Sequence, residues 1–200
     1  METINDRIAA RVRQLRAARG STLEALADSC GVSRSMISLI ERGESSPTAV
    51  VLEKLATGLG VTLAALFEAP AAPADPVSRR ADQLQWRDPQ SGYVRRNISP
   101  SGFPSPIQIV EVVFPPGARI AYESGARAPT THQQIWVLQG TIEVTVGDER
   151  FRLHAGDCLA HVLDRKVGFH NPDTKPARYA VVLAAPPSPA GGYDPTGKTR

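Results

Sequence analysis

The residues of this chain best suited to chemistry stand together at the beginning of SRSMISLIERG, where Ser33, Arg34, Ser35 and Ser38 precede a helical apolar pattern. Hydroxyl and guanidinium groups at the exposed start of a helix offer hydrogen bonds to base edges and phosphates, because the first residues of a recognition helix reach furthest into a major groove. Cys30 and Cys158 offer less. They lie far apart without metal-like spacing and read as reduced thiols of a cytoplasmic protein, neither of them suited to catalysis.

Two short helices and a tight turn must position the cluster. Ser21 with Glu24 has the S-x-x-E spacing of a capping box, and Leu23, Leu26 and Ala27 then share one apolar face. Gly31 suits a left-handed C-terminal cap. Ser33 caps the next helix, in which Ile37 and Ile40 face a core while Arg34, Ser35 and Ser38 lie on other faces, and Gly43 ends it. Ser46-Pro47 predicts a cap and first turn for a helix carrying Val51, Leu52, Leu55 and Leu59 inward. Thr62 caps a last short helix ending near Phe67, and upstream Ile8, Val12 and Leu15 form an i, i+4, i+7 stripe. The region is therefore five helices. Arg7, Arg11, Arg13, Arg16 and Arg19 give the first of them positive charge for a phosphate backbone, although a solvated face would look the same.

This helix set, with GVS before the second motif helix and IERG at its end, resembles the lambda-repressor-like, Cro-type helix-turn-helix family over residues 6–67. The resemblance implies a double-stranded DNA operator as partner. It makes Ser33–Arg42 the recognition helix, with Arg34, Ser35 and Ser38 nearest the bases and Thr22 and Arg42 on phosphates. Each residue also has a plain reading: Ser33 as a cap only, Arg34, Ser35 and Ser38 as solvated surface. Met36 reads as a partly buried packing residue. The family usually has glutamine where this chain has Leu23, and a leucine cannot donate a hydrogen bond, so anchoring there falls to Thr22, backbone amides or nearby arginines.

With 200 residues, 42% of them hydrophobic, the chain can bury one or two cores, and its pattern favours two. A net charge of +3 is too mild for coating nucleic acid by charge alone and fits a reader with locally arranged basic groups. No apolar run approaches the length of a bilayer span and the N-terminus lacks a signal-peptide pattern, so no membrane partner is expected. Residues 68–82, rich in Ala and Pro, read as a semi-rigid linker between a first domain at 6–67 and a second at 83–185. Residues 186–200 read as a flexible tail.

In the second domain the period changes to alternation. IQIVEVVF, IWVLQ, TIEVTV, RFRLH, CLAHVL and RYAVVLAA are short apolar runs separated by turn signals, and VTVGDERFRL predicts a hairpin at Gly147-Asp148. Many short strands imply an all-β sandwich or barrel. The order PPGA, VLQGTIEVTVGDERFRLHAGD, HNPDTKPARYAVVL resembles the cupin family, a double-stranded β-helix of jelly-roll type, over residues 107–183. The two resemblances together match XRE-type regulators with a C-terminal cupin sensor.

Metal-binding cupins place histidines and a glutamate around one point. Here Gln133 stands for the glutamate, ARAPT lacks the H-x-H pair and Val167 replaces the second-motif histidine, so no metal and no cofactor are expected. The family pattern turns Gln133, Ile135, Val137, His161, Val167, Phe169 and Asn171 inward and leaves His132 and His170 outside or at the rim. An effector site built of Gln133, His161 and Asn171 against Ile135, Val137 and Phe169 follows from that placement; a fully packed barrel core would use the same residues. The resulting expectation is a transcription regulator, not an enzyme, that dimerises, with Trp136 outward, and senses a small molecule. Two alternatives stay open: a metal-dependent cupin enzyme tethered to DNA, and a constitutive DNA-binding protein with an inert barrel.

Overall fold

The structure is a computed structural model that describes residues 3–68, 75–103, 105–123 and 130–184. Residues 69–74 of the expected linker, the whole expected tail, and all but the last residue of ARAPT lie outside the described residues.

Four α-helices, α1 (Ile4–Ala18), α2 (Leu23–Cys30), α3 (Arg34–Glu41) and α4 (Ala49–Gly58), are followed by a 3-10 helix, Leu63–Phe67. Ile8, Val12, Leu26, Ile37, Ile40, Leu52, Leu55 and Leu59 are all essentially inaccessible and form their common core. At roughly 25 cal/mol per Å² of apolar area removed from water, this shared burial holds helices that are each too short to persist alone. Gly31 takes the left-handed conformation (φ 64°) that turns α2 into α3, and Ser33 caps α3 by accepting from the Met36 N–H at 3.3 Å.

Two caps differ from the sequence expectation. Thr22, not Ser21, caps α2, accepting from the Ala25 N–H at 3.1 Å. Ser21 instead gives its carbonyl to Arg16, which holds it one residue outside the helix. Likewise Thr48, not Ser46, caps α4, so Pro47 precedes the cap. The Ser46 hydroxyl is taken by Asn5 Nδ2 at 2.8 Å.

Among the described residues the second domain has ten strands in two antiparallel sheets. One is ordered β1-β2-β3-β10-β5-β8, the other β4-β9-β6-β7. They comprise β1 (Gln85–Arg87), β2 (Val94–Asn97), β3 (Ile107–Phe114), β4 (Arg119–Tyr122), β5 (His132–Gln139), β6 (Thr141–Val146), β7 (Glu149–His154), β8 (Cys158–Val162), β9 (Val167–His170) and β10 (Ala177–Ala184). The expected β6–β7 hairpin turns at Gly147-Asp148, with Gly147 at φ 59°. Strands β1, β2, β4 and β9 were not among the six apolar runs; β2 reads VRRN, with both arginines buried.

The helical domain sits against the barrel through specific groups. Asp88, buried just after β1, accepts from the Ala49 N–H at 2.8 Å and so supplies a carboxylate to the positive start of α4. Gln108 of β3 accepts from the Thr62 hydroxyl (2.7 Å) and donates to Glu68 (2.6 Å), whose other oxygen meets Arg11 at 3.1 Å. Phe67 packs on Trp86, ring centroids 5.6 Å apart. Burial pushes the Glu68 carboxyl up, with Arg11 and Gln108 pulling against it.

Candidate nucleic-acid interface and barrel cavity

Helix α3 buries Ile37, Ile40 and Glu41 and turns its beginning to solvent. Arg34 is two-thirds exposed and only loosely paired with Glu24 at 3.4 Å, an ion pair that a phosphate or base edge displaces at little cost. Ser35 bonds the Ser33 hydroxyl at 3.2 Å, and Ser38 accepts from Arg42, whose guanidinium also grips Glu44 at 2.8 and 2.9 Å. Thr22 keeps a hydroxyl hydrogen to donate, since as a cap its oxygen only accepts. Arg34, Ser35, Ser38, Thr22 and Arg42 therefore all belong to one short helical unit.

Two expectations for this face are corrected. Met36 is exposed rather than packed, and presents an apolar group of the kind that meets a thymine methyl. Its place beside Arg34 and Ser35 on the outer face was the available signal. The arginines of α1 are mostly committed inside the protein: Arg16 holds both Glu41 carboxylate oxygens at 2.7 and 2.8 Å, Arg13 donates to the Glu41 carbonyl, and Arg11 is held by Ala65 and Glu68. They staple α1 to α3 and to the 3-10 helix instead of forming a spare positive stripe.

The barrel encloses a cavity with about 60 Å³ of free interior. Gln133 and Phe169 line it, together with Tyr93, Arg95 and Tyr122, and the helical domain closes it with Glu53, Thr62 and Leu63. Tyr93 and Tyr122 meet hydroxyl to hydroxyl at 3.1 Å, and burial pushes both phenols up, well up for Tyr122, so they are neutral hydrogen-bonding groups. Tyr179 stacks on Phe169 at 5.8 Å, nearly parallel.

Comparison with known proteins matches a helix-turn-helix family model to residues 12–66 and a cupin-domain model to residues 110–183. The chain carries an XRE-type helix-turn-helix domain followed by a cupin domain. A crystallised HTH_3-family transcriptional regulator from Vibrio cholerae aligns over 92% of this chain and 97% of its own at 25% identity and TM-score 0.72. The HTH-type transcriptional regulator SutR of Escherichia coli (strain K12) is 43% identical over 70 residues, 35% of this chain. That match spans about two fifths of SutR, 39% of its length.

Within the cupin, the residues expected to form an effector site are not all brought together. Ile135 and Val137 are fully buried in the core and do not line the cavity. Asn171 is inaccessible and spent on the backbone: its Nδ2 donates to the Phe114 and Lys175 carbonyls, and its Oδ1 accepts from the Asp173 N–H at 3.0 Å. It locks the turn after β9. Val167 lines the cavity, as its inward placement requires. Among the described residues no three His, Cys, Asp or Glu side chains converge as metal ligands. Gln133 and Val167 stand in the cavity wall, at the positions where the resemblance to metal-binding cupins implies a glutamate and a histidine.

His161 pairs across the ladder with Gln133 but opens on a separate shallow depression with Phe151 and Leu159. Its Nδ1 lies 3.1 Å from the Val162 carbonyl, which can only accept, so Nδ1 carries the proton and the buried Nε2 keeps a bare lone pair. Burial holds this imidazole below its ordinary value near 6.5. The unfolded chain therefore takes up the proton first on acidification, and stability falls as pH drops below about 6.5. Thermal unfolding between pH 7 and 5 should show that decline, and His161→Gln should flatten it. Equal slopes in the two proteins would contradict the assignment.

Outside, Ile107, Ile109 and Val113 of β3 and Trp136 of β5, itself half exposed, flank β10 on the outer face of the larger sheet. Trp136 points away from the interior, as the inward position of Gln133 requires.

Proposed function

We propose that this protein is a DNA-binding transcriptional regulator, without catalysis of its own, whose helix-turn-helix domain reads an operator and whose cupin dimerises and binds a small-molecule effector. The observation that carries the reading is α3, a recognition-type helix with Arg34, Ser35 and Met36 exposed at its start and Ile37 and Ile40 fixed in a core. The likeness to a Vibrio cholerae transcriptional regulator over nearly the whole chain supports it. So does the match to SutR. One such helix discriminates modestly; two related by a two-fold axis read half-sites about one DNA turn apart. The apolar face around Trp136 is the surface proposed for that pairing. The effector reading rests on the cavity, whose lining is apolar with a few polar groups, as small-molecule sites usually are.

Trp136→Glu tests the dimeric reader. Light scattering coupled to gel filtration should show a dimer for the native chain and a folded monomer for the variant. Affinity for a two-half-site duplex should fall about 100-fold or more, since each head then binds alone. A variant that stays dimeric, or a monomer that binds equally well, would contradict the proposal.

A further inference from the structure

Arg95 lines the barrel cavity. It is one of two buried arginines on β2, 6% exposed, and stands between Trp86 and Val112 across the ladder; Arg96, the other, is paired with Glu111. Its Nε and Nη2 are buried and find no hydrogen-bond acceptor among the described residues, although the guanidinium lines the barrel cavity. Leaving such donors unmade is expensive, and a charged group held this way is matched to a planar anion that takes two parallel N–H bonds. The same cavity is lined by the Tyr93 and Tyr122 hydroxyls and by Gln133, whose Oε1 is unpartnered, and by the apolar side chains of Phe169, Val181 and Leu183.

Resting on the effector reading above, we infer that the cavity takes a small organic monoanion, a carboxylate or sulfonate with an apolar body, its charged end on Arg95 and its body along Phe169. Glu53 in the same lining disfavours a dianion. The arrangement also couples occupancy to the DNA-binding head. The Arg95 guanidinium lies 5.2 Å over the ring of Phe67, a helical-domain residue, so the group that takes the anion at its edge also contacts the DNA-binding head through its face. The free interior of about 60 Å³ exceeds the roughly 10–15 Å³ one water needs but is small for an organic ligand. A ligand therefore enlarges it. Strand walls are fixed by ladders, whereas the wall made by Glu53, Thr62 and Leu63 is held by the few discrete contacts of Asp88, Gln108 and Phe67.

The test is a thermal-shift and calorimetric series on the full chain with straight-chain and aromatic monocarboxylates, the matching sulfonates, and the amides and amines of the same skeletons. The expected result is stabilisation by one anion series and about 10- to 100-fold weaker binding of its amide. Arg95→Gln should lose that preference and Arg95→Lys should keep part of it; the native-chain comparison of acid with amide stands even where a variant fails to fold. Stabilisation by an amide or amine but not by the acids would overturn the anion inference and leave the effector reading standing. No shift with any compound would sink both.

Discussion

Replacing Glu41 with alanine should lower the unfolding free energy by about 3 kcal/mol, the cost of leaving one partner of a buried ion pair alone. Glu41 is only 8% exposed at its side chain and receives two Arg16 nitrogens at 2.7 and 2.8 Å, while the same arginine ties the Ser21 carbonyl before α2. Arg13 donates to its main-chain carbonyl. Removing the carboxylate strands the Arg16 guanidinium and loosens α1, α2 and α3 together. Chemical denaturation followed by far-ultraviolet circular dichroism checks the loss. Glu44→Ala, which breaks the exposed pair with Arg42, serves as the control and should leave the midpoint essentially unchanged. Equal effects of the two substitutions would show that burial is not what makes the Glu41 pair matter.

Arg34→Ala should weaken operator binding by about 1–3 kcal/mol per half-site, roughly 5- to 150-fold, and relax base preference at the position Arg34 faces. Its side chain is two-thirds exposed and supports no buried group, so the folded state and thermal midpoint should stay as they are. Fluorescence anisotropy on a duplex carrying the preferred site, set against duplexes with single base-pair changes, separates the two kinds of loss. A uniform loss on every duplex would make Arg34 a phosphate contact. No loss at all would remove it from the interface.

The helical domain was legible because its punctuation is local. Gly31, Ser33, Gly43 and Thr62 sit where short-range rules put them, and the apolar stripes run true to the core. The cap errors at Ser21 and Ser46 come from side chains on another helix: Arg16 of α1, five residues earlier, claims the Ser21 carbonyl, and Asn5, 41 residues earlier, claims the Ser46 hydroxyl. The same holds for the arginines of α1, whose commitment to Glu41, Ala65 and Glu68 no helical pattern reveals.

In the barrel, alternation placed Gln133, Val167 and Phe169 on the cavity and Trp136 outside. It missed Tyr93, Arg95 and Tyr122, because β2 and β4 are only four residues long, Tyr93 stands just before β2, and Arg95 and Tyr122 turn polar groups to the cavity, the opposite of the apolar signal used to find strands. Asn171 was read as inward correctly and as ligand-facing wrongly. Its three hydrogen bonds to the chain around the β9 turn use up the amide. Least legible of all was the docking of the head on the barrel mouth, which depends on Asp88, Gln108 and Phe67 meeting partners 39, 46 and 19 residues away.

The most direct measurement is selection of duplexes from a random-sequence library by the purified full chain, sequenced after several rounds. The account predicts an enriched inverted repeat whose half-sites are centred about one helical turn apart, with the base-pair preference lost from both halves when the selection is repeated with the Arg34→Ala chain. Enrichment of no sequence, or a single site unchanged by the substitution, would contradict the assignment of α3 as the helix that reads DNA.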